Sequence, residues 1–285
     1  MTFKYNSVRK SLIMTYKVCP RQAYYSVRDP EYGQYNQFNI HVPALLMGQI
    51  FHKEMDRFYS KIMMNTALKL AETNREHLVD YFKDLFSVTK HEVMLKYFNW
   101  YANIEADRLI GIINDGKGEI EKRFIPMCIE EYVEYDDNGI IRNGHFDRMD
   151  YLGNGKIRLC EYKTGESYNV EKSYKLSKLR FELYWYKDII EKLEKFEDFE
   201  LVDWMLINPT TEQVFITKFS NLTKMALDKT FKQMIPVLNA NEPPGRVLNF
   251  YCEGCKFKQE CLINPGANIF DIVDKGIGGE EDVSE

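Results

Sequence analysis

Four cysteines near the two ends of the chain constrain its fold more than any other feature. Cys252, Cys255 and Cys261 form a C-x₂-C-x₅-C run, and Cys19 lies more than two hundred residues upstream beside Pro20. Four thiolates suit either a tetrahedral zinc ion or an iron–sulfur cluster. If they share one centre, everything between must fold inside a very long closed loop. Zinc sites often pair two C-x₂-C knuckles, and this chain has one. Cys128 and Cys160 fall in strand-like runs and read as buried thiols.

The 285 residues contain no apolar run near the roughly eighteen needed to span a bilayer. Met1–Asn6 lacks the apolar core of a secretory leader. These features predict a soluble cytoplasmic protein whose cysteines are metal ligands or thiols rather than disulfides. The formal net charge of −5 is unevenly spread. Residues 267–285 hold six acids and one base, and read as a disordered tail. The N-terminal segment carries Lys4, Arg9, Lys10, Lys17, Arg21 and Arg28 and no acid up to residue 28. Such local positive charge suits a phosphate backbone, although it also fits a solvated helix face.

Periodicity predicts helix over 7–28, broken at Cys19-Pro20 and capped by Ser7, then a loop over 29–43. It predicts a long helix over 44–73 and two more within 75–114. From Gly118 the pattern alternates. Strands are expected over 119–127, 128–135, 141–151 and 156–163, punctuated by Asp136-Asp137-Asn138-Gly139 and Gly153-Asn154-Gly155. Helix follows over 173–193, strands over 200–208 and 213–219, and helix over 221–238. The fold class is α/β: a mixed sheet flanked by helices, with a helical insertion and a four-cysteine clasp.

Within the alternating region lie Asp147 and, fourteen residues on, Glu161-Tyr162-Lys163. Residues two apart on a strand share a face, so Glu161 and Lys163 point into one site. A hairpin through Gly153-Asn154-Gly155 sets Asp147 opposite Glu161. Two carboxylates, with the backbone carbonyl of Tyr162, make an oxygen-rich site for Mg²⁺ or Mn²⁺. Such an ion activates water and neutralises charge on a phosphodiester, and an adjacent lysine stabilises the transition state. The same spacing also arises on any solvated charged strand. The Thr164-Gly165 stop would leave the site at a sheet edge.

The chain resembles PD-(D/E)XK nucleases of the RecB-like type. Gly144-His145-Phe146-Asp147 looks like their G-x-x-D motif, and Glu161-Tyr162-Lys163-Thr164-Gly165 like their D/E-x-K motif. Gly48-Gln49-Ile50-Phe51-His52 is similar to the upstream G-x-x-x-H. By residue type His52 reads as a partly buried helix histidine, whereas the resemblance makes it a metal ligand. Arg180-Phe181-Glu182-Leu183-Tyr184 stands where the family carries Q-x-x-x-Y: Tyr184 fits, and Arg180 replaces the glutamine. An arginine there suits a phosphate. Cys19-Pro20-Arg21 with the C-terminal run resembles the iron–sulfur staple of AddB and of the CRISPR-adaptation nuclease Cas-four. That implies a [4Fe–4S] cluster on Cys19, Cys252, Cys255 and Cys261, with zinc as the alternative.

The resemblance implies one nuclease domain over 1–266. Within it, 44–118 forms a helical lobe, 119–240 the core, and 1–28 with 249–265 the clasp. The implied activity is metal-dependent DNA cleavage by Asp147, Glu161, Lys163 and Tyr184, exonucleolytic on single-stranded or frayed ends. Lys17, Arg21 and Arg180 would bind DNA. The implied partner is a CRISPR integrase complex, or a helicase in repair and resection, and no membrane. A DNA-binding scaffold that has lost cleavage is the rival reading.

Overall fold

The computed structural model describes residues 5–29, 43–87, 91–168 and 173–266. The expected loop over 29–43, apart from its two ends, and the acidic tail lie outside the described residues. The helices are α1 (Lys10–Val18), α2 (Pro20–Ser26), α3 (Pro43–Ser60), α4 (Met64–Thr73), α5 (Arg75–Asp84), α6 (Glu92–Asn114), α7 (Ile120–Phe124), α8 (Ser173–Ile190), α9 (Asn221–Asn239) and α10 (Lys258–Ile263). The strands are β1 (Ser7–Arg9), β2 (Cys128–Asp137), β3 (Ile140–Gly153), β4 (Lys156–Tyr162), β5 (Glu200–Asn208) and β6 (Gln213–Thr217). They form a six-stranded mixed sheet in the order β1-β3-β4-β5-β6, with β2 also on β3. The α/β class expected from the sequence is the class observed.

Two Asn-Gly turns build the meander. Asn138 and Gly139 have φ of 54° and 82°, and Asn154 and Gly155 have 54° and 71°. Paired left-handed residues match the twist of a two-residue hairpin, and asparagine followed by glycine tolerates them best. The second turn sets Arg148 opposite Cys160 and Met149 opposite Leu159. One further step of that register faces Asp147 with Glu161. Helix α8 then crosses over, so that β5 returns parallel to β4 and β6 runs antiparallel to β5. Strand β4 is therefore interior. Its Glu161–Lys163 end opens at the carboxyl end of a central strand, not at the expected sheet edge.

The chain divides into two compact units. The smaller holds Met1–Phe38, Glu134–Gly144 and Ser220–Glu285, and the larger holds Asn39–Val133 and His145–Phe219. In the larger unit the helices after residue 43 share one core with the sheet. Phe51, Phe58, Phe82, Phe86, Phe98 and Tyr101 pack with Cys160, Tyr162, Met205 and Ile207. Aromatic pairs dominate it: Phe58 stacks on Phe86 at 4.9 Å, and Phe86 on Phe98 at 4.5 Å. In the smaller unit, β1 pairs in parallel with the first residues of β3. Arg28 donates to the Ala240 carbonyl (2.7 Å), and Asn239 Oδ1 accepts from the Tyr5 N–H (2.6 Å).

Three local expectations are corrected. Ser7 does not cap a helix. It lies in β1, and its hydroxyl accepts from Asn143 Nδ2 at 3.1 Å. Residues 44–73 are two helices, broken where Lys61 turns its ammonium to the Leu85 carbonyl (2.7 Å) and the Ser87 hydroxyl (2.8 Å). Residues 119–127 contain helix α7 rather than a strand: Arg123 reaches back to Asp115 (2.8 Å), and Arg108 donates to the carbonyls of Arg123 and Phe124, which holds the segment in a helical turn.

Beneath the aromatic core lies a buried ionic network. Arg148, wholly inaccessible, donates to both carboxylate oxygens of Asp150 (2.6 and 2.7 Å), to Glu105 Oε1 (3.2 Å), and to the hydroxyls of Tyr59, Tyr101 (2.8 Å) and Tyr162 (3.3 Å). Arg108 donates to Glu105 (2.8 Å) and to the carbonyls of Arg123 (3.1 Å) and Phe124 (2.6 Å). Burial alone would raise the carboxyls of Glu105 and Asp150, but the two guanidiniums hold both below their usual range. Removing one member of such a network leaves a buried charge uncompensated, at roughly 3–5 kcal/mol. Arg148→Met is therefore expected to lower unfolding free energy by about that much in urea titrations. A loss below about 1 kcal/mol would rank the network with surface ion pairs.

Candidate metal centre

Helix α3 has two faces. Phe51, Met55, Phe58 and Tyr59 enter the core, while Gln49, His52, Lys53 and Asp56 fall on the opposite stripe and line a cleft of about 570 Å³. Gly48 sets how near this helix comes to the end of β4, since a Cβ there would lie 3.0 Å from Thr164 Oγ1. That close approach brings His52, one turn later, to the strand carboxylates. Its Nδ1 lies 3.6 Å from Asp147 Oδ1 and 3.1 Å from Glu130 Oε1. Ligand atoms of His52, Glu130 and Asp147 all lie within 4.8 Å of one another.

The other oxygen of Asp147 accepts from the Tyr162 N–H at 2.7 Å, which fixes that carboxylate against β4. Glu161 is almost wholly buried, and its Oε1 accepts from the Lys163 ammonium. Alternation turns the Tyr162 side chain the other way, edge-on to Phe51 at 5.6 Å, with its hydroxyl on Arg148. Burial opposes protonation of His52, yet Glu130, Asp147 and Glu161 together lift its pKa above the ordinary value. One imidazole nitrogen among carboxylates is a donor set for a hard or borderline divalent ion such as Mg²⁺ or Mn²⁺.

Sequence reasoning did not find Glu130. It sits in β2 with φ of +48°, a left-handed backbone that is uncommon for a residue other than glycine or asparagine. Glycine or asparagine would have flagged such a turn, whereas glutamate leaves no local signal. The conformation carries a strain of order 1–3 kcal/mol, held by the surroundings that aim its carboxylate at His52. Tyr186 was also missed: its hydroxyl donates to the His145 carbonyl and pins the strand that carries Asp147.

The sequence matches the family model described as the PD-(D/E)XK nuclease superfamily over residues 11–262. The chain belongs to that superfamily. Among solved structures, that of SSO0001 is similar at 15% identity, over 77% of this chain and 97% of that one, with a TM-score of 0.33. No curated protein matches the sequence. PD-(D/E)XK nucleases use divalent metals, and the His52–Glu130–Asp147 group, beside Glu161, fits such an ion.

Tyr184 is buried on α8, edge-on to Phe219 at 5.5 Å, and Arg180 is exposed one turn earlier. In the smaller unit Cys19 caps α2, its sulfur accepting from Gln22 N–H at 3.4 Å. Burial raises its thiol pKa, and the nearby thiols of Cys255 and Cys261 add to this. Cys252 Sγ accepts from Asn249 N–H at 3.3 Å. Among the described residues no cysteine trio closes to the 4.8 Å spacing of the histidine–carboxylate group. Cys160 is buried, whereas Cys128 is only half-buried, unlike its expected state. Lys17 is exposed. Arg21 is buried, and its guanidinium is spent on the carbonyls of Pro244 (2.9 Å), Pro265 (3.1 Å) and Asn264, which leaves a poor phosphate contact. Among the described residues no helix is long and apolar enough to cross a membrane.

The raised pKa of His52 gives a pH test with opposite signs in two measurements. A raised folded pKa stabilises the metal-free protein below the unfolded value near 6.5, and that contribution fades as pH rises through the folded value. Metal binding needs neutral imidazole, so Mn²⁺ affinity should instead climb with pH, about tenfold per unit below that pKa. Calorimetric Mn²⁺ titrations should show this slope in the wild type and lose it in His52→Ala. Glu130→Gln should weaken Mn²⁺ by about tenfold or more. Superimposed titrations of wild type and His52→Ala would leave His52 a packing residue.

Proposed function

We propose that the chain is a divalent-metal-dependent deoxyribonuclease acting on single-stranded or frayed DNA ends. The observation that carries this reading is the convergence of His52, Glu130 and Asp147 beside the Glu161–Lys163 pair, at the open end of β4. A divalent ion bound there would neutralise phosphodiester charge and acidify a water. His52, Glu130 and Asp147 would hold the ion, with Glu161 and the carbonyl of Tyr162 beside them. Lys163 is partly exposed and tethered through Glu161, so its ammonium can reach a non-bridging phosphate oxygen as charge develops. Tyr184 supports α8 behind the site, and Arg180 offers a phosphate contact at the surface.

The four cysteines support a second part of the reading. Cys19 senses the thiols of Cys255 and Cys261 electrostatically, and backbone N–H groups point at the sulfurs of Cys19 and Cys252. A thiolate-rich site with N–H···S contacts suits a [4Fe–4S] cluster, with a structural role. The cellular setting fits either spacer acquisition with a CRISPR integrase or end resection with a helicase. The rival from another class, a DNA-binding scaffold without cleavage, is disfavoured because Asp147, Glu161 and Lys163 remain together.

With Mn²⁺ and labelled single-stranded DNA, Glu161→Ala and Lys163→Ala should each abolish nearly all cleavage while far-UV circular dichroism stays native. Full activity of Glu161→Ala would overturn the catalytic assignment. Anaerobically purified protein should be brown, with iron in fourfold excess over protein, about one [4Fe–4S]. Cys255→Ser should remove the colour and lower thermal stability together. Colourless protein carrying one zinc would replace the cluster by a zinc site.

A further inference from the structure

Opposite helix α3, the wall of the cleft is made by the end of β4 and the turn after it. That turn is built with care. A 3₁₀ segment, Glu166–Tyr168, follows Gly165, and the Tyr168 N–H donates to the Gly165 carbonyl at 3.1 Å. The same carbonyl accepts from Asn208 Nδ2 at 3.0 Å. Asn208 is wholly buried at the end of β5, and its Oδ1 accepts from the Thr210 N–H at 3.0 Å. A buried amide is costly unless satisfied. Here both of its ends are used, and what they hold in place is the turn that presents Tyr168. The Tyr168 ring lines the cleft, with its centroid 5.8 Å from the Lys163 ammonium. An aromatic face is thus fixed beside the lysine of the proposed reaction.

The helix wall supplies the complementary charge. Lys53 follows His52 on the cleft stripe of α3, exposed, and makes no ion pair among the described residues. Lys53 and Lys163 are the two cations among the described lining residues, against Asp56 and Glu130. Lys163 is engaged by Glu161, so Lys53 is the cation free to meet a second phosphate. A cleft of about 570 Å³ has the size of a small-ligand site, which takes a nucleotide or two of a splayed strand rather than the side of a duplex.

We infer that Tyr168 stacks a nucleobase and Lys53 holds a neighbouring phosphate, so that this cleft selects an unpaired strand at the metal centre. The inference rests on the nuclease reading and names the residues that would give it strand preference. Stacking is indifferent to base identity, because every base has a π face. It therefore predicts strand selectivity without sequence selectivity.

The test measures binding of fluorescein-labelled 12-mer DNA, single-stranded and blunt duplex, to full-length protein with Ca²⁺ replacing Mn²⁺. Tyr168→Ala should weaken single-strand binding about five- to a hundredfold, with duplex binding changed less than about twofold. Tyr168→Phe should restore it, since the hydroxyl has no part in stacking. Lys53→Ala should reduce the slope of log affinity against log salt by about 0.7 for single strands. Thermal midpoints and Mn²⁺ affinities of the variants should match the wild type. Wild-type single-strand binding by Tyr168→Ala, or a Phe variant as weak as the Ala one, would overturn the stacking role. An unchanged salt slope would overturn that of Lys53. A wild-type protein that binds but never cleaves would sink the nuclease reading alone.

Discussion

The Arg148 guanidinium is the contact on which the larger unit depends. It is reached by side chains from α3 (Tyr59), α6 (Tyr101, Glu105), β3 (Asp150) and β4 (Tyr162). Two arginines and two carboxylates balance within it, so the burial of four charges is offset locally rather than by solvent. Each tyrosine brings a hydroxyl to the charge and a ring to the aromatic core, which joins polar and apolar packing in one layer. A hydrophobic substitute for the whole network would fill the same space, but it would not fix the register of β3 against β4 with the same directionality.

That register matters because the site straddles the two strands. Arg148 and Asp147 are adjacent and point to opposite faces, as do Tyr162 and Glu161. Anchoring Arg148 and Tyr162 below therefore places Asp147 and Glu161 above. The Tyr162 N–H completes the link by holding Asp147 directly. Two costs are accepted to finish the site: a helix brought so near that a Cβ at position 48 would crowd Thr164 Oγ1, and a left-handed glutamate at position 130. Three carboxylates crowd one imidazole with an ammonium alongside, a site whose negative charge a divalent cation would neutralise. Such a site contributes little to folding and is retained for what it binds.

Much of this was legible in the sequence because its signals are local. The Asn-Gly turns announce their hairpins, and the two-residue period puts Glu161 with Lys163. What escaped is what depends on distant partners. Glu130 gives no hint of its backbone, since its strain is imposed from outside. Arg123 and Phe124 read as alternating strand residues, yet Asp115 and Arg108 draw them into one helical turn. Arg21 reads as a phosphate-binding base in a basic segment, while the structure turns it inward to carbonyls of the chain's last described stretch. Charge is visible in a sequence, but the group that consumes it is not.

The position of Arg21 changes how the cysteines should be viewed. In the smaller unit the N-terminal helices are tied to residues 241–265 by hydrogen bonds that involve no thiol. Arg21 bonds to residues 244, 264 and 265, Tyr24 to the Asn241 carbonyl at 3.1 Å, and Asn249 Nδ2 to the Val18 carbonyl at 3.0 Å. These bonds close the same loop that a cluster would close. Loop entropy is lost once, so a cluster added to ends already held together gains less from closure than one that must bring them together. Its contribution would then come from fixing the irregular segment around Phe250–Cys252 and α10, where Phe250 is 91% exposed and little apolar packing holds the backbone. A thiolate centre in that position would act as a local brace on weakly packed chain, beside a loop closed by Arg21, Tyr24 and Asn249.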